Sequence, residues 1–255
     1  MRLGLVTYMW GAEWDLPTLI KNLRLTGFTG VELRSGHKHG VEPSLGADER
    51  RHVAMAFREN EIELVGLGTA CEYQSPDPRV LKQNIEDTKA FIRLAHDCGA
   101  TGVKVRPNGL PKEVPVAKTL EQIGLALNEV AAFGAGFGMQ IRLEIHGHGT
   151  DNLEHIRAIM DVADHPGATV CWNSNPADLD GDGLEHNFNL VKDRLGTIHI
   201  HDLVSSYPWP ELFALLKSAG FEGWTLLEEG DPTADPIRVM KYYRLLWEMM
   251  TSDLP

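Results

Sequence analysis

Cysteine is scarce: 3 among 255 residues, at Cys71, Cys98 and Cys171, widely spaced and odd in number. That spacing builds neither a disulfide framework nor a zinc motif, and it indicates a reducing compartment. Long apolar runs are missing too. Nowhere do 18 uninterrupted apolar residues occur, so no segment reads as a membrane span. The opening MRLGLVTYMWG has too short an apolar stretch for a signal sequence. A cytoplasmic protein without a membrane partner is the expectation. Positive charge is in deficit as well. With 24 Lys+Arg against 36 Asp+Glu the net charge is −12, which excludes the broad Lys/Arg field that a nucleic-acid surface needs.

Several signature loops are also absent. No G-x-S-x-G or Walker sequence occurs, which removes serine-hydrolase and nucleotide-hydrolase readings. FGAGFG at 133–138 imitates a dinucleotide fingerprint but follows a helical pattern and precedes a strand pattern, the reverse of the required order. DLDGDG at 178–183 matches the front of a calcium loop, yet its twelfth position is Asn189 and not the bidentate Glu.

What is present is an alternation. Runs rich in Val, Ile and Leu lie at 2–8, 29–34, 62–68, 101–106, 139–146, 168–172, 196–201 and 223–229. Between them lie amphipathic segments. In the first, Leu16, Leu19, Ile20 and Leu23 fall at helical spacing behind Asp15 as N-cap, with Pro17 in the first turn. Repeated strand–helix units imply a parallel sheet, and eight of them make a (β/α)8 TIM barrel. The class is therefore α/β, with 1–255 as a single domain. An open doubly wound sheet would carry a Gly-rich turn after its first strand, and that turn here reads TYMWGAEW.

In such a barrel, catalytic groups stand at the C-terminal ends of the strands. The fifth strand ends LEIHGHG (Glu144, His146, His148) and the sixth CWNSNPAD (Asn173, Asn175). The seventh ends IHIHD (His199, His201) and the eighth LLEEG (Glu228). Residues two apart share a face of a strand, so each of these strands directs an oxygen or imidazole donor to the mouth. Two carboxylates, an imidazole and an amide oxygen suit Mn²⁺, Mg²⁺ or Co²⁺, not a thiolate-loving ion. Elsewhere at the mouth, Glu32, Arg34, His37 and His39 follow the second strand, and Lys104 and Arg106 end the fourth. Arg34 and Arg106 are candidate contacts for substrate oxygens. Pairing of the fourth strand's cations with Glu32 is the bland alternative. Trp10 and Trp172 are candidates for an apolar wall against a bound ligand.

The motifs GFTGVELR, LEIHG, IHIHDL and GWTLLEE together resemble the xylose-isomerase-like TIM-barrel superfamily, also described as AP-endonuclease-2-type domains. Its members include sugar isomerases and epimerases, inosose dehydratases and endonuclease IV. The resemblance covers the whole chain and implies one divalent ion held by Glu144, Asn173, His199 and Glu228, with Zn²⁺ a further candidate metal. Three positions depart from the family pattern. Asn173 stands for an Asp, Pro176 for the His of D-x-x-H, and His201 for the Lys of H-x-K-D. The resemblance also implies a small carbohydrate substrate and a homodimer or homotetramer.

The expected chemistry is α-proton abstraction from a sugar or sugar-derived ketone. A chelated cation stabilises the enediolate, and Glu144 and Glu228, three strands apart, serve as acid and base. His146 and His201 are expected to contact substrate hydroxyls. A lyase of inosose or 3-keto-glycoside type would share the first step. The nuclease branch needs an intact D-x-x-H and a DNA-binding surface, and here that stretch reads NSNP. Asn173 keeps open a third reading, a degenerate barrel that binds a sugar or partner without turnover.

Overall fold

Each segment becomes the element that its hydrophobic period dictates. In the computed structural model, which describes residues 1–252, the strands are β1 (Arg2–Val6), β2 (Gly30–Arg34), β3 (Glu63–Gly68), β4 (Gly102–Val105), β5 (Gln140–Glu144), β6 (Ala168–Trp172), β7 (Leu195–Ile200) and β8 (Trp224–Leu227). They alternate with α1 (Leu16–Thr26), α2 (Ala47–Glu59), α3 (Pro78–Cys98), α4 (Val116–Ala135), α5 (Leu153–Val162), α6 (Gly183–Val191), α7 (Trp209–Ser218) and α8 (Pro236–Thr251). The last three residues of the expected 1–255 domain lie outside the described residues. All neighbouring strands pair in parallel, and β8 returns to β1. The (β/α)8 barrel is thus closed. Among the described residues no helix is long and apolar enough to cross a membrane.

Local signals set the helix ends. Asp15 caps α1 by accepting from the Thr18 amide at 3.0 Å, Pro17 sits in the first turn, and Gly27 ends the helix in the left-handed region. The expected strands overshoot at their C-terminal ends. Tyr8, Arg106, His146, His201 and Glu228 all fall beyond the last residue of their strands. These side chains are polar, and the ladder gives way where they rise above the barrel mouth.

The barrel's interior is filled from below by Val6, Val65, Trp224 and Leu226. Beside them Arg142 is buried, donating from Nη1 to Val65 O (2.8 Å), from Nη2 to Thr101 Oγ1 (2.9 Å) and from Nε to Gln140 Oε1 (3.2 Å). Glycine makes room for it. A Cβ on Gly66 or Gly102 would stand 2.9 or 2.7 Å from the guanidinium. Two register shifts interrupt the ladder, between Val31 and Glu32 of β2 and between Val170 and Cys171 of β6. The extra residue is Val65 of β3 in the first and Gly196 of β7 in the second; a bulge re-aims the side chains that follow it, and in β7 those include His199.

Candidate metal and substrate site

Alternation along β5, β7 and β8 carries Glu144, His199 and Glu228 to the inside of the mouth. All three are buried, and one ligating atom from each lies within 4.8 Å of the others. Nδ1 of His199 stands 3.2 Å from Glu228 Oε2 and 3.5 Å from Glu144 Oε1. Its Nε2 points the opposite way, 3.4 Å from Oε1 of Glu32. Neither Glu32 oxygen has a hydrogen-bond partner. The imidazole therefore offers one nitrogen to the Glu144–Glu228 pair and the other to a carboxylate behind it.

Asn173 follows β6 and lines the same cavity as Glu144 and Glu228. Its Nδ2 donates to Asn175 Oδ1 at 3.3 Å, while its Oδ1 is buried without a partner. The next residue, Ser174, is left-handed (φ 50°), a conformation that costs of order 1 kcal/mol in a side-chain-bearing residue. Its hydroxyl compensates by donating to His199 O at 2.8 Å, which ties the end of β6 to β7. An orphaned amide oxygen beside two carboxylates and an imidazole is the donor set that a divalent ion would satisfy.

Opposite charges crowd the base of the site. Burial alone would raise Glu144, but Lys104, with Nζ 2.5 Å from Oε2, and His199 outweigh it and hold the carboxyl well below its usual range. Glu228 is likewise lowered, with burial opposed mainly by His199. Burial works against a charged His199, yet the Cys171 sulfur and the carboxylates of Glu228 and Glu32 raise it well above the ordinary histidine value. Lys104 is raised although burial opposes its charge, because Glu144, Glu32 and Glu228 surround it.

Above this group opens a cavity of about 130 Å³ lined by Tyr8, Arg34, Lys104, Arg106, Glu144, His146, Asn173 and Glu228. A larger groove of about 780 Å³ runs between α1 and α2 on the barrel's outer surface, past Leu16, Ile20 and Met55. It brings together no ligating group of the kind found at the mouth.

The structure brings most of the expected residues to this cavity and sends others elsewhere. Arg34, Arg106 and His146 line it, and His146 Nδ1 is buried and unpartnered. His201 is committed to the backbone: its ring nitrogens lie 2.7 Å from Glu228 O and 2.7 Å from Asn173 O. It staples the ends of β6 and β8 and is not among the residues that line the cavity. Trp172 is wholly buried against Phe188 of α6, with Nε1 donating to Tyr207 Oη at 3.2 Å. Cys171 and Asn173 face inward, so the residue between them must face the helices. Trp10 is buried and ties two loops together through Nε1 to Asp231 O at 2.8 Å. It takes no part in the cavity lining. The expected pairing with Glu32 is replaced as well, for Lys104 goes to Glu144 and Arg106 to Glu72 Oε1 at 3.2 Å. Tyr8 is the cavity residue that sequence reasoning missed. Its ring lies 4.6 Å from the Arg34 guanidinium, and its position two residues beyond Val6 on β1 was the available signal.

A family model described as xylose isomerase-like TIM barrel matches residues 20–244. Among solved structures, the chain resembles a 3-keto-D-glucoside 4-epimerase, YcjR, from E. coli. The TM-score is 0.82 at 14% identity, covering 97% of this chain and 99% of that one. It also resembles the IolI protein with a zinc atom, at TM-score 0.84 and 14% identity over 99% and 98% of the two chains. A third is a probable 3-DHS dehydratase, AsbF, from Bacillus anthracis, at TM-score 0.79 and 12% identity over the full length of both. At these identities the likeness to each structure is one of fold.

Proposed function

We propose that this chain, which belongs to the xylose isomerase-like TIM-barrel family, is a divalent-metal-dependent isomerase or epimerase of a sugar or sugar-derived ketone. The observation that carries this reading is the buried Glu144–His199–Glu228 group at the base of a small polar cavity. Glu144, His199, Glu228 and the orphaned Oδ1 of Asn173 would hold the ion, with Mn²⁺, Mg²⁺, Co²⁺ and Zn²⁺ as candidates. When bound, it would supply Lewis-acid stabilisation of negative charge on a substrate carbonyl oxygen.

The protein's own groups do the proton work. Glu144 and Glu228 flank the cavity, so one removes the proton beside the carbonyl and the other returns one. Their environments are unequal. Lys104 grips Oε2 of Glu144, whereas Oε1 of Glu228 has only Arg34 nearby, at 3.6 Å. Glu228 is therefore the freer of the two to take up a proton, and Glu144 the more firmly anchored as a ligand. His201 keeps the ends of β6 and β8 at fixed separation, which holds Asn173 and Glu228 in place.

The test is solvent-deuterium exchange. Metal-loaded protein is incubated in D2O with D-fructose, D-tagatose and 2-keto-D-gluconate, and label beside the carbonyl is read by NMR. The parent should incorporate deuterium into at least one of them, and Glu144→Gln and Glu228→Gln should not. Exchange retained in both variants, or absent from the parent, overturns the assignment. A dehydrated product would place the protein with the lyases, which begin with the same proton abstraction.

A further inference from the structure

The residues that would hold an ion account for the base of the cavity and leave its upper wall unexplained. That wall carries two guanidinium groups. Arg34 is about a quarter exposed, stacks on Tyr8 at 4.6 Å, and has its nearest carboxylate, Glu228 Oε1, at 3.6 Å, beyond hydrogen-bonding reach. Among the described residues its guanidinium donates no hydrogen bond. Arg106 gives Nε to Glu72 at 3.2 Å and leaves both terminal nitrogens unpaired.

Arg142 shows how this chain treats an arginine that serves the fold. There all three nitrogens of the guanidinium have an acceptor inside the barrel. The two at the mouth instead present unused donors to the cavity. A guanidinium donates through a planar fork that matches an oxyanion with two oxygens, and a neutral hydroxyl uses only part of that capacity.

Charge points the same way. Three cations line the cavity (Arg34, Lys104 and Arg106) against two carboxylates, Glu144 and Glu228. Both carboxylates belong to the ligand group, and a divalent ion would add two further positive charges. The fourth ligand position is Asn173, a neutral amide, so the ligand group itself supplies no third anion. Glu72 and Glu32 stand behind the lining, the first on Arg106 Nε and the second against His199. A loaded site is therefore electropositive toward whatever enters from the mouth.

We propose that the substrate is anionic: a keto sugar bearing an oxyanion group, carboxylate or phosphate, that Arg34 and Arg106 bind. This inference rests on reading the cavity as a sugar site and names the charge class of that sugar.

The experiment is calorimetric titration of the Mn²⁺-loaded protein with three ligands matched in carbon skeleton: D-fructose, 2-keto-D-gluconate and D-fructose 1-phosphate. At least one anion should bind tenfold or more tightly than D-fructose, and added salt should weaken it. Arg34→Gln and Arg106→Gln should each weaken that anion about 10- to 100-fold, the usual loss for a charged hydrogen bond, and weaken D-fructose several-fold less than the anion. Preference for 2-keto-D-gluconate would identify a carboxylate site, and preference for the 1-phosphate a phosphate site. Equal binding of all three, no binding of either anion at millimolar concentration, or variants that weaken all ligands alike would overturn the inference. Titration reads binding and not turnover. Loss of anion preference with deuterium exchange intact therefore removes this inference alone, and anion preference without exchange removes the isomerase reading alone.

Discussion

At the floor of the barrel Arg142 finds acceptors in Val65 O, Thr101 Oγ1 and Gln140 Oε1. At the mouth, Glu32, His146, Asn173 and His199 bury polar atoms that no protein group satisfies. Both ends bury charge in the same parallel sheet. The floor also leaves the Thr197 hydroxyl unpartnered, but that group carries no charge. Buried polar atoms in folded proteins are nearly always hydrogen-bonded. A cluster of polar groups that breaks this rule at the mouth supports the proposal of a ligand there. The floor's arginine is bonded through all three nitrogens, whereas the mouth pairs Lys104 with Glu144 yet leaves other buried polar atoms open.

Arg142→Met should break this contrast from the structural side, with the largest effect. It removes three charge-assisted hydrogen bonds, leaving the Val65 carbonyl only the Thr101 hydroxyl at 2.9 Å as a side-chain donor, and should lower stability by about 3–5 kcal/mol in urea unfolding. Mn²⁺ affinity should stay within about threefold of the parent. A parallel loss of metal affinity would show that the two ends are not separable.

Asp178 sharpens the comparison because it is buried near the mouth yet lies outside the ligand group. Burial, only partly opposed by the Tyr207 hydroxyl at 2.8 Å, pushes its carboxyl up to about 7. Its Oδ1 has no partner. Below about pH 4 the group is protonated in both folded and unfolded chains, so it exerts no pH dependence there. As pH rises toward 7 the unfolded chain ionises first and the folded state loses stability, and above 7 the full penalty is in place. Asp178→Asn should therefore stabilise the protein by an amount that grows by on the order of 3 kcal/mol between pH 5 and 8. Melting curves at the two pH values check this, and a gain that does not change with pH would contradict it.

Glu32→Gln probes the mouth itself with a smaller effect. Glu32 faces Nε2 of His199 at 3.4 Å, where it can keep the proton on that nitrogen and leave Nδ1 free to ligate. Losing such a carboxylate typically costs 10- to 100-fold in metal affinity. Competition with a fluorescent chelator would measure it. Unchanged affinity would show that Glu32 does not orient the ring.

The ligand group could be read from the chain because each member ends a strand in a recognisable motif, and alternation sends it inward. Lys104 was visible as an inward cation, but its choice of Glu144 over Glu32 was not, since that depends on how β4 and β5 sit in register. Trp172 could have been excluded by parity alone, because Asn173 next to it faces the cavity. His201 could not, for its two acceptors are backbone carbonyls 27 and 28 positions away in sequence.

By itself the sequence determined the eight strand–helix units, the closed parallel barrel and the identity of the strand-end donors. These follow from periods of two and 3.6 residues and from caps such as Asp15, all of which act within a few residues. Only the tertiary structure decided which buried charges find partners. The register shifts at Glu32 and Cys171, the glycines that admit Arg142, and the Ser174 turn that ties Asn173 to β7 set distances between strands far apart in sequence. Electrostatic pairing depends on those distances to within an ångström, and no local pattern encodes them.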